Sequence, residues 1–226
     1  AVDAVRWCVE NGLRAVMIPT LWGDQPAYHH TRYNPFWEVC EDLGVIVHFH
    51  SGPAPHPEYF GKDWPVEDSS QQLPGAMGVY VSEVMWWLYR PLTFMIWGGV
   101  FERYPRLKVV IVEGGTMFML PPWLRLLDHN YRDVQFSAKL GDFRAHLSMA
   151  PSDYYHRNVA IGASCVPRSD LDLREAIGTG QIMWGSDYPH PEGTWPNTGE
   201  YLKTTFSNFP EEDGRRILGD NAVEFY

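Results

Sequence analysis

Five short apolar runs recur along the chain, each followed by a turn rich in glycine, proline or charged residues. The runs are dominated by Val, Ile, Met and Ala, and they are centred on Val16, Val47, Ile111, Ala160 and Met183. Continuous apolar strands of this kind are typical of a parallel sheet that helices cover on its faces. The pattern therefore predicts an α/β fold with five parallel strands.

The segments between these runs carry helix signals. The segment from Asn34 begins with Asn-Pro and stops at Gly44, as helices commonly do. Residues 79–104 and 116–133 also read as helices, whereas 51–72 is polar, rich in proline and long enough to be a functional loop. This alternation suits both doubly wound sheets and (β/α)₈ barrels. No GxGxxG follows the first strand, which disfavours the dinucleotide-binding fold.

Composition and charge exclude several classes of protein. The 226 residues include 18 Lys and Arg against 28 Asp and Glu, a net charge of −10, and no basic stripe that nucleic acid would need. The three cysteines lie far apart, which suits a reducing compartment. Apolar runs are too short to span a membrane and no signal peptide is visible. We therefore expect a cytoplasmic protein.

Ionisable side chains stand where three of the five strands end. They are His50, Glu113 and Asp187, and glycines lie beside the two carboxylates. In barrel enzymes the carboxyl ends of the strands form the rim that carries the active site. The glycines would allow a ligand to approach the backbone closely. The strand ends are therefore the candidate functional site.

His48 and His50 are two residues apart in one strand, so their side chains share a face. Neutral imidazole is the commonest metal ligand, and His50 at the strand end is the candidate; the alternative is a hydrogen bond to a backbone carbonyl. His48, one layer deeper, is a candidate for packing or for contact with ligand. Asp187 alone would suit a helix cap. Together with His50 it favours a metal site, in which it would also accept a proton.

Three further side chains have open roles. Glu113 suits a metal ligand, an acid–base group or an anchor for a loop, and the sequence does not choose among these. His190 follows Asp187 by three residues and either contacts substrate or lies on an exposed loop. Trp195, in the same stretch, is a candidate for contact with a substrate ring.

Four stretches of the chain resemble one known family. They are EDLGVIVHFHSG, GGVFERYPRLKVVIVEGG, QIMWGSDYPHPEGTW and ILGDNAVEFY. They are similar to the amidohydrolase-related (amidohydrolase 2) metal-dependent TIM-barrel family, in its aminocarboxymuconate-semialdehyde-decarboxylase-like branch. The resemblance implies that His50 ends the fifth barrel strand and that Asp187 ends the eighth, both as metal ligands. It also implies that residues 1–226 are a barrel domain carrying roughly strands 4 to 8, with the N-terminal strands missing.

Two departures from the family pattern shape the functional hypothesis. Decarboxylases of the family carry a His at the end of strand six, where this chain has Glu113, and the His-x-His of strand one has no counterpart here. We therefore expect a metal-dependent hydrolase that acts on a small amide, lactone or carboxylated ring through a metal-activated water. The alternatives are a nonoxidative decarboxylase or hydratase, and an inactive fragment.

The resemblance also implies a cofactor and a partner. One divalent ion is expected, zinc with manganese as the alternative, held by His50 and Asp187. The expected partner is a small-molecule substrate, not nucleic acid or a membrane. The aromatic helices would suit a homodimer interface.

Overall fold

The computed structural model describes residues 1–21, 23–51, 75–114, 117–133 and 139–226. Apart from Ser51, the predicted functional loop at 51–72 lies outside these residues. No helix in the described part of the chain is both long enough and apolar enough to cross a bilayer.

A five-stranded parallel sheet forms the centre of the protein, and its strands follow one another in chain order. The strands are β1 (Ala15–Met17), β2 (Ile46–His50), β3 (Val109–Val112), β4 (Val159–Ser164) and β5 (Ile182–Gly185). All neighbouring pairs are parallel. Each of the five apolar runs has become a strand, so the predicted α/β class is confirmed. Within the described residues, β1 and β5 each pair on one side, as the fragment hypothesis expects.

Helices connect the strands, and most of them pack on one face of the sheet. They are α1 (Val2–Glu10), α2 (Asn34–Leu43), α3 (Ala76–Trp97), α4 (Val100–Arg103), α5 (Leu120–Arg132), α6 (Pro151–Asn158), α7 (Arg168–Leu171), α8 (Arg174–Ile177), α9 (Thr198–Thr205), α10 (Glu211–Arg215) and α11 (Asn221–Phe225). Short 3₁₀ turns span Thr31–Tyr33, Met117–Met119 and Thr179–Gln181, and a π turn spans Arg216–Asp220.

The predicted signals for α2 hold at its end and shift by one residue at its start. Gly44 adopts the left-handed conformation, with φ of 66°, and ends the helix as predicted. Asn34 is the first helical residue, and Tyr33 is the cap. The helix starts one residue earlier than predicted because the 3₁₀ turn at Thr31–Tyr33 leads directly into it.

The two faces of the sheet bury different side chains. Val47, Phe49 and Ile111 point to the large core that the helices cover. Ile46 and Val110 point the other way, into a smaller cluster that α11 packs against. Side chains alternate between faces along a strand, so His48 and His50 belong with this second face. The histidines therefore lie away from the main core.

Candidate active site at the strand ends

Three successive strands end in the same unusual backbone conformation. Glu113, Cys165 and Asp187 follow β3, β4 and β5, and their φ angles are 56°, 49° and 60°. This left-handed region is sterically costly for residues with a side chain, and such residues cluster at functional sites. Each residue bends the chain out of its strand. The candidate carboxylates therefore lie at the C-terminal ends of the strands, as the sequence predicted.

His50 and Glu113 meet across the neighbouring strands β2 and β3. The His50 Nε2 atom lies 3.5 Å from Glu113 Oε2. His50 Nδ1 donates to the carbonyl oxygen of Ser51 over 2.7 Å, and the Ser51 hydroxyl donates to Glu113 Oε2. Since Nδ1 donates to that carbonyl, Nε2 is the ring nitrogen that faces Glu113. We call this arrangement the His50–Glu113 pair.

Asp187 begins a loop that folds back on itself. We call residues 186–194 the Asp187 loop. Asp187 Oδ2 lies 3.4 Å from His190 Nδ1, and the Glu192 amide donates to that nitrogen over 3.3 Å. The Thr194 amide donates to the Ser186 carbonyl over 3.0 Å and closes the loop. Asp187 and His190, predicted separately, are thus brought together.

Cys165 lies between the two groups of side chains, at the end of β4. Burial raises the pKa of its thiol, and the nearby carboxylates of Asp187, Glu192 and Glu113 raise it further. Its Sγ lies 3.6 Å from the Glu192 carbonyl oxygen. The thiol therefore stays protonated near neutral pH.

Two predicted substrate contacts lie at different depths. The His48 Nε2 atom is 2.7 Å from the Tyr226 hydroxyl, and burial lowers the pKa of the imidazole. His48 is therefore a neutral side chain engaged by the end of the chain, one layer below His50. Trp195 is 67% exposed and packs edge-on against Tyr188, with ring centroids 5.7 Å apart. It stands on the outer surface beside the Asp187 loop.

Two further residues that bear on the site escaped sequence reasoning. Ser51 bridges His50 to Glu113, although a serine after a strand carries no distinctive signal. Tyr80, on α3, has a pKa that burial and the Glu113 carboxylate both raise. Its helix begins 26 residues after the end of β2, and no local sequence pattern predicts that Glu113 influences it.

The donor atoms of the His50–Glu113 pair fit a divalent ion. A bare imidazole nitrogen beside a carboxylate oxygen is a donor set that zinc and manganese both accept. The carbonyl that holds Nδ1 is the kind of outer contact that orients a ligating histidine. In the part of the chain that the structure describes, however, no three His, Cys, Asp or Glu side chains converge as a complete metal site.

Comparison with known proteins places these residues in a family context. A family model described as amidohydrolase matches residues 1–226. The 2-amino-3-carboxymuconate-6-semialdehyde decarboxylase of Dictyostelium discoideum is 27% identical over 191 residues, which cover 84% of this chain and 47% of that protein. The chain thus spans about half the length of this curated relative.

Solved structures share the fold. An amidohydrolase from Mycobacterium avium subsp. paratuberculosis K-10 matches with a TM-score of 0.77 at 21% identity, covering 99% of this chain and 54% of that one. A dihydroxybenzoic acid decarboxylase from Polaromonas sp. JS666, solved with bound manganese and the inhibitor 2-nitroresorcinol, matches with a TM-score of 0.69 at 21% identity. That match covers 100% of this chain and 64% of the other. At these identities the likeness supports the fold alone.

Proposed function

The chain belongs to the amidohydrolase family, and we propose that the protein in which it occurs is a nonoxidative decarboxylase of a small carboxylated substrate. The observation that carries this proposal is the match to a decarboxylase over 84% of the chain. This match favours the decarboxylase, which the sequence analysis kept as an alternative, over the hydrolase that the sequence analysis expected. Glu113, in place of the histidine of the family's decarboxylases, keeps hydrolysis of an amide or lactone as the second candidate.

Decarboxylation requires a proton donor and a site that binds an anionic substrate. The bond between the substrate carbon and its carboxylate breaks, CO₂ leaves, and the electron pair stays on the carbon, which takes the proton. Asp187 Oδ2 lies 3.4 Å from His190 Nδ1, which accepts the Glu192 amide, so the Asp187 carboxyl is the member of this pair that would carry the proton. We assign proton delivery to this pair. Glu113, engaged by Ser51 and His50, is assigned to positioning and charge.

The proposal includes one divalent cation, either manganese or zinc. His50 Nε2 and Asp187 are the groups of this chain that would hold it. When bound, the ion supplies positive charge that offsets the substrate carboxylate in a site otherwise lined by acidic groups. Trp195 and Tyr188 are the proposed contacts for a planar substrate.

The experiment is product analysis with the natural protein loaded with Mn²⁺ or Zn²⁺. It is incubated with a panel of hydroxylated benzoic acids and unsaturated dicarboxylic acids, and in parallel with lactones and amides. We expect CO₂ release from at least one acid, with the matching decarboxylated product on chromatography, and no release in Asp187→Asn. Ring opening of lactones or cleavage of amides without CO₂ would replace this proposal with the second candidate.

A further inference from the structure

The Asp187 loop is closed mainly by its own backbone. Two tight turns follow each other inside it: the His190 amide donates to the Asp187 carbonyl over 2.7 Å, and the Gly193 amide donates to the His190 carbonyl over 2.9 Å. The Thr194 amide then reaches the Ser186 carbonyl. The loop is therefore a small closed loop. We call the point where Ser186 and Thr194 meet its neck.

Gly193 lies at this neck, where the surrounding backbone leaves no space for a side chain. A Cβ atom on Gly193 would lie 2.8 Å from the Ser186 carbonyl oxygen, 2.9 Å from that of Asp187 and 3.0 Å from that of His190. These distances are well inside normal packing separations. The φ angle of Gly193 lies outside the left-handed region, so space rather than backbone conformation calls for glycine here.

The kind of neighbour decides how such a conflict would be resolved. All three neighbours of Gly193 are backbone oxygens, and two of them belong to Asp187 and His190 themselves. A side chain tip can rotate away, but these oxygens move only if the loop moves. A methyl group at residue 193 would therefore displace the backbone that carries the Asp187–His190 pair.

We propose that Gly193 is a positioning residue, which sets the geometry of the Asp187–His190 pair by allowing the neck of the loop to close. The assignment deepens the proposed function, because that pair is the proposed proton donor. Misplacing reacting groups by about 1 Å typically lowers a rate about 10²-fold. Gly193 acts through the backbone of the loop and does not contact the substrate.

The test compares Gly193→Ala with Gly199→Ala in the metal-loaded natural protein. Gly199 lies in α9, and a Cβ there would meet nothing within 4 Å. We expect Gly193→Ala to lower kcat about 10²-fold with KM nearly unchanged, because transition-state alignment rather than binding is lost. Gly199→Ala should match the unsubstituted protein. Equal kcat values in the two variants would overturn the proposal.

A spectroscopic measurement tests the inference without turnover. Long-range ¹H–¹⁵N spectra report the His190 imidazole, identified among the nine histidines by its loss in His190→Gln. We expect its Nδ1 signal to shift in Gly193→Ala and to stay unchanged in Gly199→Ala. If no substrate is decarboxylated but the signal shifts, the proposed function fails and the positioning role stands. An unshifted His190 signal overturns the positioning role whatever the activity.

If Gly193→Ala does not fold, a milder variant at the same neck tests the proposal. Thr194→Val keeps the amide that closes the loop but removes the hydroxyl, which lies 3.5 Å from the Ser186 carbonyl oxygen and 3.0 Å from the Thr198 hydroxyl. We expect a loss in kcat of roughly tenfold and a smaller shift of the same His190 signal, as one hydrogen bond is removed. A Thr194→Val protein with unchanged kcat and spectrum would overturn the proposal.

Discussion

The two halves of the strand-end site are held in different ways. In the His50–Glu113 pair, side chains from neighbouring strands contact each other, and the Ser51 hydroxyl joins them. In the Asp187 loop, the ordering bonds run between backbone groups of one short segment. The first half should therefore respond to the loss of polar side-chain atoms. The second should respond to changes in the space around its backbone.

The largest expected effect comes from Asp187→Asn. It removes the group that we assign to proton delivery, and a well-placed general acid contributes about 10²–10⁴-fold to a rate. We therefore expect kcat to fall by about 10³-fold. The free energy of unfolding should change by less than about 0.5 kcal/mol, because the loop is closed by backbone bonds that the variant keeps.

Steady-state kinetics and urea unfolding check both parts of this prediction, with Glu192→Gln as the matched control. Glu192 is an exposed residue of the same loop, and its hydrogen bonds to His190 and Cys165 are made by its backbone. A strongly destabilised Asp187→Asn protein would contradict the view that backbone bonds order this half.

Gly114→Ala should cost stability rather than activity. A Cβ on Gly114, next to Glu113, would lie 2.6 Å from Ile161 Cγ2 in the buried core. Overpacking a core costs about 1–3 kcal/mol, so we expect a loss of about 2 kcal/mol in the free energy of unfolding. The closest neighbour is a core methyl group and the nearest backbone oxygen, that of Ile111, would lie at 3.3 Å, so kcat should change less than in Gly193→Ala.

Denaturant unfolding measures this loss, and Gly162→Ala is the control. A Cβ on Gly162 would have its nearest neighbour, Val110 Cγ1, at an ordinary 3.5 Å. Equal midpoints for the two variants would show that the sheet beside Glu113 is less tightly packed than the structure indicates.

Ser51→Ala tests the side-chain half directly. The serine hydroxyl donates to Glu113 Oε2, and a hydrogen bond to a charged group contributes about 1.5–3 kcal/mol. We expect the lower end of that range, a loss of about tenfold in kcat/KM, because Glu113 is partly exposed and water can replace the hydroxyl. Ser186→Ala, which removes a 3.3 Å contact to the Tyr188 amide, should have a smaller effect. Identical kcat/KM values for Ser51→Ala and the unsubstituted protein would contradict a role for this bridge.

The sheet could be predicted from the sequence because strands that are buried on both faces are almost continuously apolar. The runs around Val47, Ile111 and Met183 hold few polar residues, and a strand buried by helices needs that composition. The site followed from the same logic, since parallel strands bring their carboxyl ends to one edge. The proximity of His50 to Glu113 was predictable from this topology.

The remaining features depend on contacts between distant or conformationally special residues. The Tyr226 hydroxyl reaches His48 across 178 positions of chain, and no periodicity encodes that contact. The left-handed backbone at Glu113 and Cys165 is invisible because neither residue type favours it. The sequence carries no signal for the role of Gly193, because the three carbonyls around it are brought together by a fold of the chain that local rules do not specify.

The smallest expected effect concerns Cys165, which lies between the two halves. Its left-handed backbone, with φ of 49°, is strained for cysteine, whereas asparagine adopts this conformation more readily. An asparagine amide would also donate to the Glu192 carbonyl that Sγ now approaches at 3.6 Å. We therefore expect Cys165→Asn to raise the free energy of unfolding by about 0.5–1 kcal/mol, measured by urea unfolding. The same substitution at Cys8, in the helix α1, relieves no strain and should lower stability slightly. A loss of stability in Cys165→Asn would mean that the thiol contributes more to joining the two halves than its backbone strain costs.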